Sequence, residues 1–189
     1  HLMAPIISEF NQMCPSVRIS TTEILQQQRQ QALLTGEIDI LFTPRRIKDS
    51  RLDFRYILTE RILLALPPTH RLVSPEILQY QEEVALPALH LRDYNKATVP
   101  FENDFPSISL LDLRDDPFVM TRSYGSLRRS AINLCQQIGF EPKTVLNNVN
   151  IETALSFAVE GIGIAFIPET ILRFNKTGKH PAYFCIEEN

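Results

Sequence analysis

The tetrad Ser123-Tyr124-Gly125-Ser126 stands between a short apolar run, Pro117–Thr121, and apolar residues at helical spacing, Leu127, Ala131, Leu134 and Ile138. A strand-to-helix junction of this kind offers unpaired backbone N–H groups and the positive end of a helix dipole, with hydroxyls beside them. Such a place suits a carboxylate or another small organic anion. Ser123 or Ser126 would equally serve as an ordinary helix N-cap, and Arg122 as a solvated strand-end cation. Thr22 and Gln26 open a second predicted helix in the same way. There the alternative is a cap at Thr21 or Thr22 above a solvated face, because five glutamines fall between Gln26 and Gln31. Asn148 and Asn150, with Asn147, follow a predicted strand and bring amides to such an edge, although asparagine is common in turns. Phe166-Ile167-Pro168 suits an apolar pocket wall or plain core.

Chemistry beyond binding lacks its residues. The histidines His1, His70, His90 and His180 share no local motif with a nucleophile or a second ligand, and His70, close to Pro67-Pro68, reads as a turn residue. There is no G-x-S-x-G, P-loop or G-x-G-x-x-G; Gly161-Ile162-Gly163 lacks a third glycine and leads into a strand. Asp112, Asp115 and Asp116 form a polar run before a strand. Cys14, Cys135 and Cys185 are odd in number and lack metal-ligand spacing, so they read as reduced thiols packed like small hydrophobes. The expectation is a binding protein that is not an enzyme and needs no cofactor or metal.

Composition narrows the partners. The formal net charge is −3 and the densest basic runs are Arg45-Arg46 with Lys48 and Arg128-Arg129. Neither makes the wide basic face that nucleic acid requires. No stretch approaches the ~20 consecutive apolar residues of a membrane span, and His1–Phe10 lacks the pattern of a secretory signal. The expected setting is the cytoplasm, away from membranes.

The elements that would hold the candidate residues follow from periodicity. Leu2, Ile6, Phe10 and Met13 mark one helical face over Leu2–Met13, ended by Pro15. Val17–Thr21 reads as a strand, Glu23–Thr35 as a helix stopped by Gly36, and Ile38–Phe42 as a strand buried on both faces. Strand, helix and strand in that order predict a parallel βαβ unit. Leu52–Leu58 and Arg61–Leu66 read as further strands. The stretch Leu72–Leu110 has little periodicity and reads as a surface insertion with one short helix near Glu76–Glu83. Pro117–Thr121, Leu127–Ile138, Lys143–Leu146, Ile151–Glu160 and Ile164–Ile167 then predict a second βαβαβ run. The fold class expected is α/β: two Rossmann-like lobes joined by crossover strands. Residues 1–71 would form a first, incomplete lobe, 72–116 an insertion or the start of the second, 117–178 the second lobe, and 179–189 a strand returning towards the first.

Four segments carry a family resemblance. Leu33-Leu34-Thr35-Gly36 followed by Glu37-Ile38-Asp39-Ile40, the Arg61–Leu72 segment RILLALPPTHRL, Phe140-Glu141-Pro142 after a helix and a glycine, and the Asn150–Pro168 segment NIETALSFAVEGIGIAFIP stand in an order similar to the effector-binding domains of LysR-type bacterial transcriptional regulators. The resemblance spans the chain except 72–110 and the tail. It implies a fold like the type 2 periplasmic binding proteins, with a small-molecule effector held between lobes and contacted by the Ser123–Ser126 loop. It also implies a homodimer or tetramer formed through the Leu2–Met13 and Leu127–Ile138 helices, and DNA contact only through an N-terminal winged helix-turn-helix that these residues do not include. By the same pattern a strand would precede the first helix, and a strand and helix would follow Ile186, so the fold is expected to be cut short at both ends. The alternative is a solute-binding protein of a transport system with the same bilobal fold.

Overall fold

The first apolar stripe becomes helix α1, Met3–Met13, in the computed structural model, and the chain turns at Pro15. The structure describes residues 3–25, 27–43, 46–57, 59–82, 105–121, 126–173 and 179–188. Two compact units divide the chain, one containing His1–Thr59 and the other beginning at Glu60.

In the first unit the only other element among the described residues is a short helix, α2, Arg29–Leu34. Several expectations are corrected here. Val17–Thr21, Ile38–Phe42 and the described part of Leu52–Leu58 are not strands, and the helix expected over Glu23–Thr35 forms only in its second half. The first βαβ unit is therefore absent from the described residues. Strands are stabilised by cross-strand neighbours and burial more than by their own propensity, and these segments have little of either. Ile40 is 73% and Phe42 51% exposed, and Ala32 alone among the unit's described residues is buried. The end of α2 falls where Gly36 places it: that glycine adopts φ +72°, and the N–H groups of Glu37 and Ile38 both return to the Ala32 carbonyl at 2.9 and 3.2 Å.

From Glu60 onward the apolar runs find partners. Strands β1 (Ile62–Leu66), β2 (Ser107–Ile108), β3 (Pro117–Thr121), β4 (Lys143–Val149), β5 (Ile164–Pro168) and β6 (Ala182–Ile186) form one sheet in the order β2-β6-β1-β5-β3-β4. β3 pairs in parallel with both β4 and β5, and β2 in parallel with β6, while β1 runs antiparallel to β5 and β6. The second βαβαβ run is thus present, with helices α4 (Ser126–Gln137) and α5 (Ile151–Val159) as its crossovers. Two strand placements differ from expectation. β1, expected in the first lobe, lies in the middle of this sheet, and β6, expected to return towards the first lobe, pairs beside it. The short helix α3, Pro75–Glu82, also belongs to the fold: Val73, Ile77 and Leu78 pack on the core. Gln81 is buried and its carboxamide makes two 2.8 Å bonds to the backbone N–H and C=O of Tyr183 in β6, two residues before Cys185, where the pairing with β2 begins.

Both faces of the sheet are covered, which is why its central strands read as unbroken apolar runs. Leu64, Leu66, Phe118, Met120, Ile164 and Phe166 face one layer with Ala131 and Cys135 of α4. Leu63, Ala65, Val119, Ala165 and Ile167 face the other with Ala154, Leu155 and Ala158 of α5. Each fully buried Leu, Ile or Phe contributes roughly 1.5–3 kcal/mol of transfer free energy. Gly163, just before β5, lies against the start of β3: a Cβ there would lie 2.8 Å from the Pro117 carbonyl oxygen.

Candidate functional site

Because five of the six strands run one way, their C-terminal ends meet on one edge of the sheet, where β1 begins. Open α/β sheets bind ligands at this edge, since the helices that follow the strands turn their N-termini towards it. β3 ends at Thr121 and α4 starts at Ser126; β4 ends at Val149 and α5 starts at Ile151; β5 ends at Pro168 and a 3-10 turn, Glu169–Arg173, follows.

Of the residues expected from sequence, Ser126 is the first of α4. Ser123, Tyr124 and Gly125, with Arg122, lie outside the described residues. Asn148 falls within β4 instead of in a turn after it. Asn150 is exposed and is the N-cap of α5, its carboxamide oxygen accepting from the Thr153 N–H at 2.8 Å. That bond is the ordinary capping role and occupies the acceptor; the amide N–H groups remain for other partners. Thr22 is exposed in an irregular segment of the first unit and caps no helix, the N-cap of α2 being Gln28; Gln26 lies outside the described residues. In chain order Ser126 thus opens the helix after β3, Asn148 stands near the end of β4 and Asn150 caps the helix that follows it.

Two features of this edge escaped the sequence. Arg128, in the first turn of α4, donates from Nη1 to the Asn147 Oδ1 at 2.7 Å, joining the helix start to the end of β4. A cation in the first turn opposes the helix dipole, and that mismatch was the available signal. The second feature is Glu169, only 3% exposed, whose carboxylate receives the Arg61 guanidinium at 2.5 and 3.1 Å. No local pattern could pair these two, because 108 positions separate them.

His70 and Cys135 hold places within the fold. His70 takes the turn position expected of it: its Nδ1 accepts from the Leu72 N–H at 3.3 Å, and Nε2 lies 3.3 Å from the Asp116 carboxylate without hydrogen-bonding to it. Cys135 is buried under the sheet and burial pushes its thiol up to about 11, which makes it a poor nucleophile; Cys14 and Cys185 are half-buried. Among the described residues no three His, Cys, Asp or Glu side chains converge to hold a metal ion, and no helix is long and apolar enough to cross a membrane.

Comparison with known proteins agrees with this geometry. A family model described as the LysR substrate binding domain matches residues 1–180. The HTH-type transcriptional regulator YcgK of Bacillus subtilis (strain 168) is 26% identical over 179 residues, which is 94% of this chain and 51% of that protein. The chain thus spans about half the length of the relative it matches. Among solved structures, the BenM effector-binding domain with its effector benzoate superposes with a TM-score of 0.69 at 20% identity, over 99% of this chain and 72% of that one. The Synechocystis PCC6803 CcmR regulatory domain in complex with 2-PG gives 0.68 at 16%, over 97% and 74%. At these identities the structural likeness carries the fold: a mixed α/β fold of the periplasmic-binding-protein kind.

Proposed function

Because the chain belongs to the LysR substrate binding domain family, we propose that it is the sensing part of a bacterial LysR-type transcriptional regulator, binding a small organic anion at the C-terminal edge of its sheet. The observation that carries this is the family match over residues 1–180, joined to an edge where α4 and α5 both begin. The ligand contacts would come from Ser123, Tyr124, Gly125 and Ser126, with Asn148, Asn150 and Arg128 beside them. Thr22 and Gln26 remain candidates on the first unit. The two units would be the two lobes of the sensor. No catalytic step is assigned: the chain would bind its effector unchanged and act in the cytoplasm. A LysR-type regulator in place of a transport solute-binding protein is favoured by the regulator YcgK, matched over 94% of this chain.

In the full-length protein, a winged helix-turn-helix outside these residues would hold DNA, and subunits would associate as a homodimer or tetramer through Leu2–Met13 and Leu127–Ile138. The second of these helices already uses its apolar residues at home. Ala131 and Cys135 are buried and Leu127, Ile132, Leu134 and Ile138 pack on the core of their own sheet, so a partner would meet only their outer parts. Effector binding would shift the balance between two arrangements by its different affinity for each.

A thermal-shift titration with benzoate and a panel of small carboxylates tests the reading, because a ligand that binds only the folded state raises the melting temperature by mass action. The expected result is a concentration-dependent rise with at least one anion, reduced by Ser126→Ala and by Arg128→Ala. A panel of anions without effect, alongside neutral amino acids or sugars that do stabilise, would overturn the anionic class.

A further inference from the structure

The chain enters its sheet-bearing unit at Glu60, and its first two residues there are tied twice to the end of β5. Arg61 lays its guanidinium on the Glu169 carboxylate, Nε at 3.1 Å from both oxygens and Nη2 at 2.5 Å from Oε1. The backbones reciprocate: the Glu169 N–H donates to the Arg61 carbonyl at 3.0 Å, and the Arg61 N–H reaches Glu169 Oε2 at 3.4 Å. Next to this pair the Thr170 hydroxyl donates to Glu60 Oε2 at 2.5 Å, and Arg61 Nη1 lies 3.6 Å from Cys185 Sγ in β6. The Glu169 side chain is 4% exposed and that of Arg61 42%. The Glu169 oxyanion is therefore shut away from water and, among the described residues, is met by the forked cation of Arg61, a geometry that fixes orientation as well as charge.

A buried ion pair is a weak source of net stability compared with apolar packing, and its better-attested use is to specify one arrangement. Here the arrangement specified is the path of the chain at the point where it joins the sheet. We propose that Arg61 and Glu169 are positioning residues that clamp the entering chain to the strand end at Pro168, so that Glu60, Arg61 and the sheet move as one body. Bending where the chain first enters this unit is thereby confined to residues before Glu60. Taken with the assignment of this sheet edge as the ligand side, on which this part rests, the clamp makes the end of β5 the place where ligand occupancy meets the entering chain.

Hydrogen–deuterium exchange on the whole 189-residue chain, without ligand, tests the clamp. In the native protein the amides of Arg61 and Glu169 should exchange as slowly as those of Leu63 and Leu64, with a step of about tenfold or more to faster exchange for amides before Glu60. In Glu169→Gln and in Arg61→Gln that step should move inward, with Arg61 and Ile62 exchanging about tenfold faster while Leu64 and Phe166 are unchanged. Arg61→Lys, which keeps the charge and loses the fork, should fall between. Unchanged protection of Arg61 and Ile62 in the variants would overturn the proposal. So would an equal rise across Leu64 and Phe166, which marks the pair as general support for the fold, or a native protein with no step at Glu60. The readout needs no ligand, so its failure is separate from a failure of the anion titration.

Discussion

Ile38–Phe42 and Ile164–Pro168 share a pattern, each a largely apolar run a few residues after a glycine that adopts positive φ, Gly36 and Gly161. The second is β5, flanked by β1 and β3 with α5 against one face, and its first four residues are buried. The first is not a strand, and Ile40 and Phe42 face solvent. Apolar spacing alone gives both the capacity for a strand, although Asp39 interrupts the first run. What differs is that β5 has a backbone partner on both sides and helices over its faces, so its hydrogen bonds and its side chains are satisfied together. Strand-forming residues supply a capacity, and pairing turns that capacity into structure.

Substitutions can break or sharpen this contrast. The largest effect should come from Phe118→Ala, which empties a fully buried site in β3 and should cost about 3–5 kcal/mol. Phe42→Ala, the same change on the first unit's exposed run, should stay within about 0.5 kcal/mol. Paired urea denaturation of the two variants measures both, and a Phe42→Ala loss approaching that of Phe118→Ala would show that the first unit has a core of its own. Gly163→Ala comes next. Its Cβ would meet the Pro117 carbonyl at 2.8 Å and Val119 Cγ2 at 3.3 Å, so β5 must shift from β3, at a cost of roughly 1–3 kcal/mol in the same assay. Gly36→Ala meets nothing within 4 Å and carries only its φ strain, so it should be milder.

Asn150→Ala removes the bond to the Thr153 N–H and should cost about 1 kcal/mol. If Asn150 also touches ligand, anion binding should weaken by more than that loss explains, which separates the capping role from a binding one. The smallest effect concerns pH. Hydrogen bonds from the Arg51 side chain and backbone and from Gln30 hold the Asp49 carboxyl well below its usual range. A carboxylate whose folded pKa is depressed contributes stability above its unfolded pKa, near 4, and loses it as pH falls through the folded value. Asp49 is solvent-exposed, so the contribution is screened and small. Carboxyl NMR titration should find it still ionised where an unpaired aspartate is already protonated, and Arg51→Gln should return it towards about 4.

Much of the second unit was legible from its residues alone. The strands over Pro117–Thr121, Lys143–Leu146 and Ile164–Ile167 and the helices between them fall within a few residues of expectation, because local periodicity and fold agree there. Ser126, Asn148 and Asn150 stand in the sequence where strands give way to helices, and that much of the candidate site follows from order along the chain. Thr22 is a candidate on the same grounds, yet it caps no helix: its flanking strand and the first half of its helix are not formed among the described residues, so the junction expected there is missing. Arg128 reads in the sequence only as part of a basic pair, since its partner Asn147 is a neighbour only through β4.

The sequence by itself determined which stretches can be helix or strand, where glycine and proline stop them, and the order of motifs that marks the family. Those are properties of neighbouring residues, set by dihedral preference and apolar spacing. Only the tertiary structure decided that β1 lies between β5 and β6, that it alone runs against the others, and that Glu169 is buried on Arg61. These depend on residues about a hundred positions apart meeting in one sheet, and a contact of that kind leaves no periodicity behind it to read.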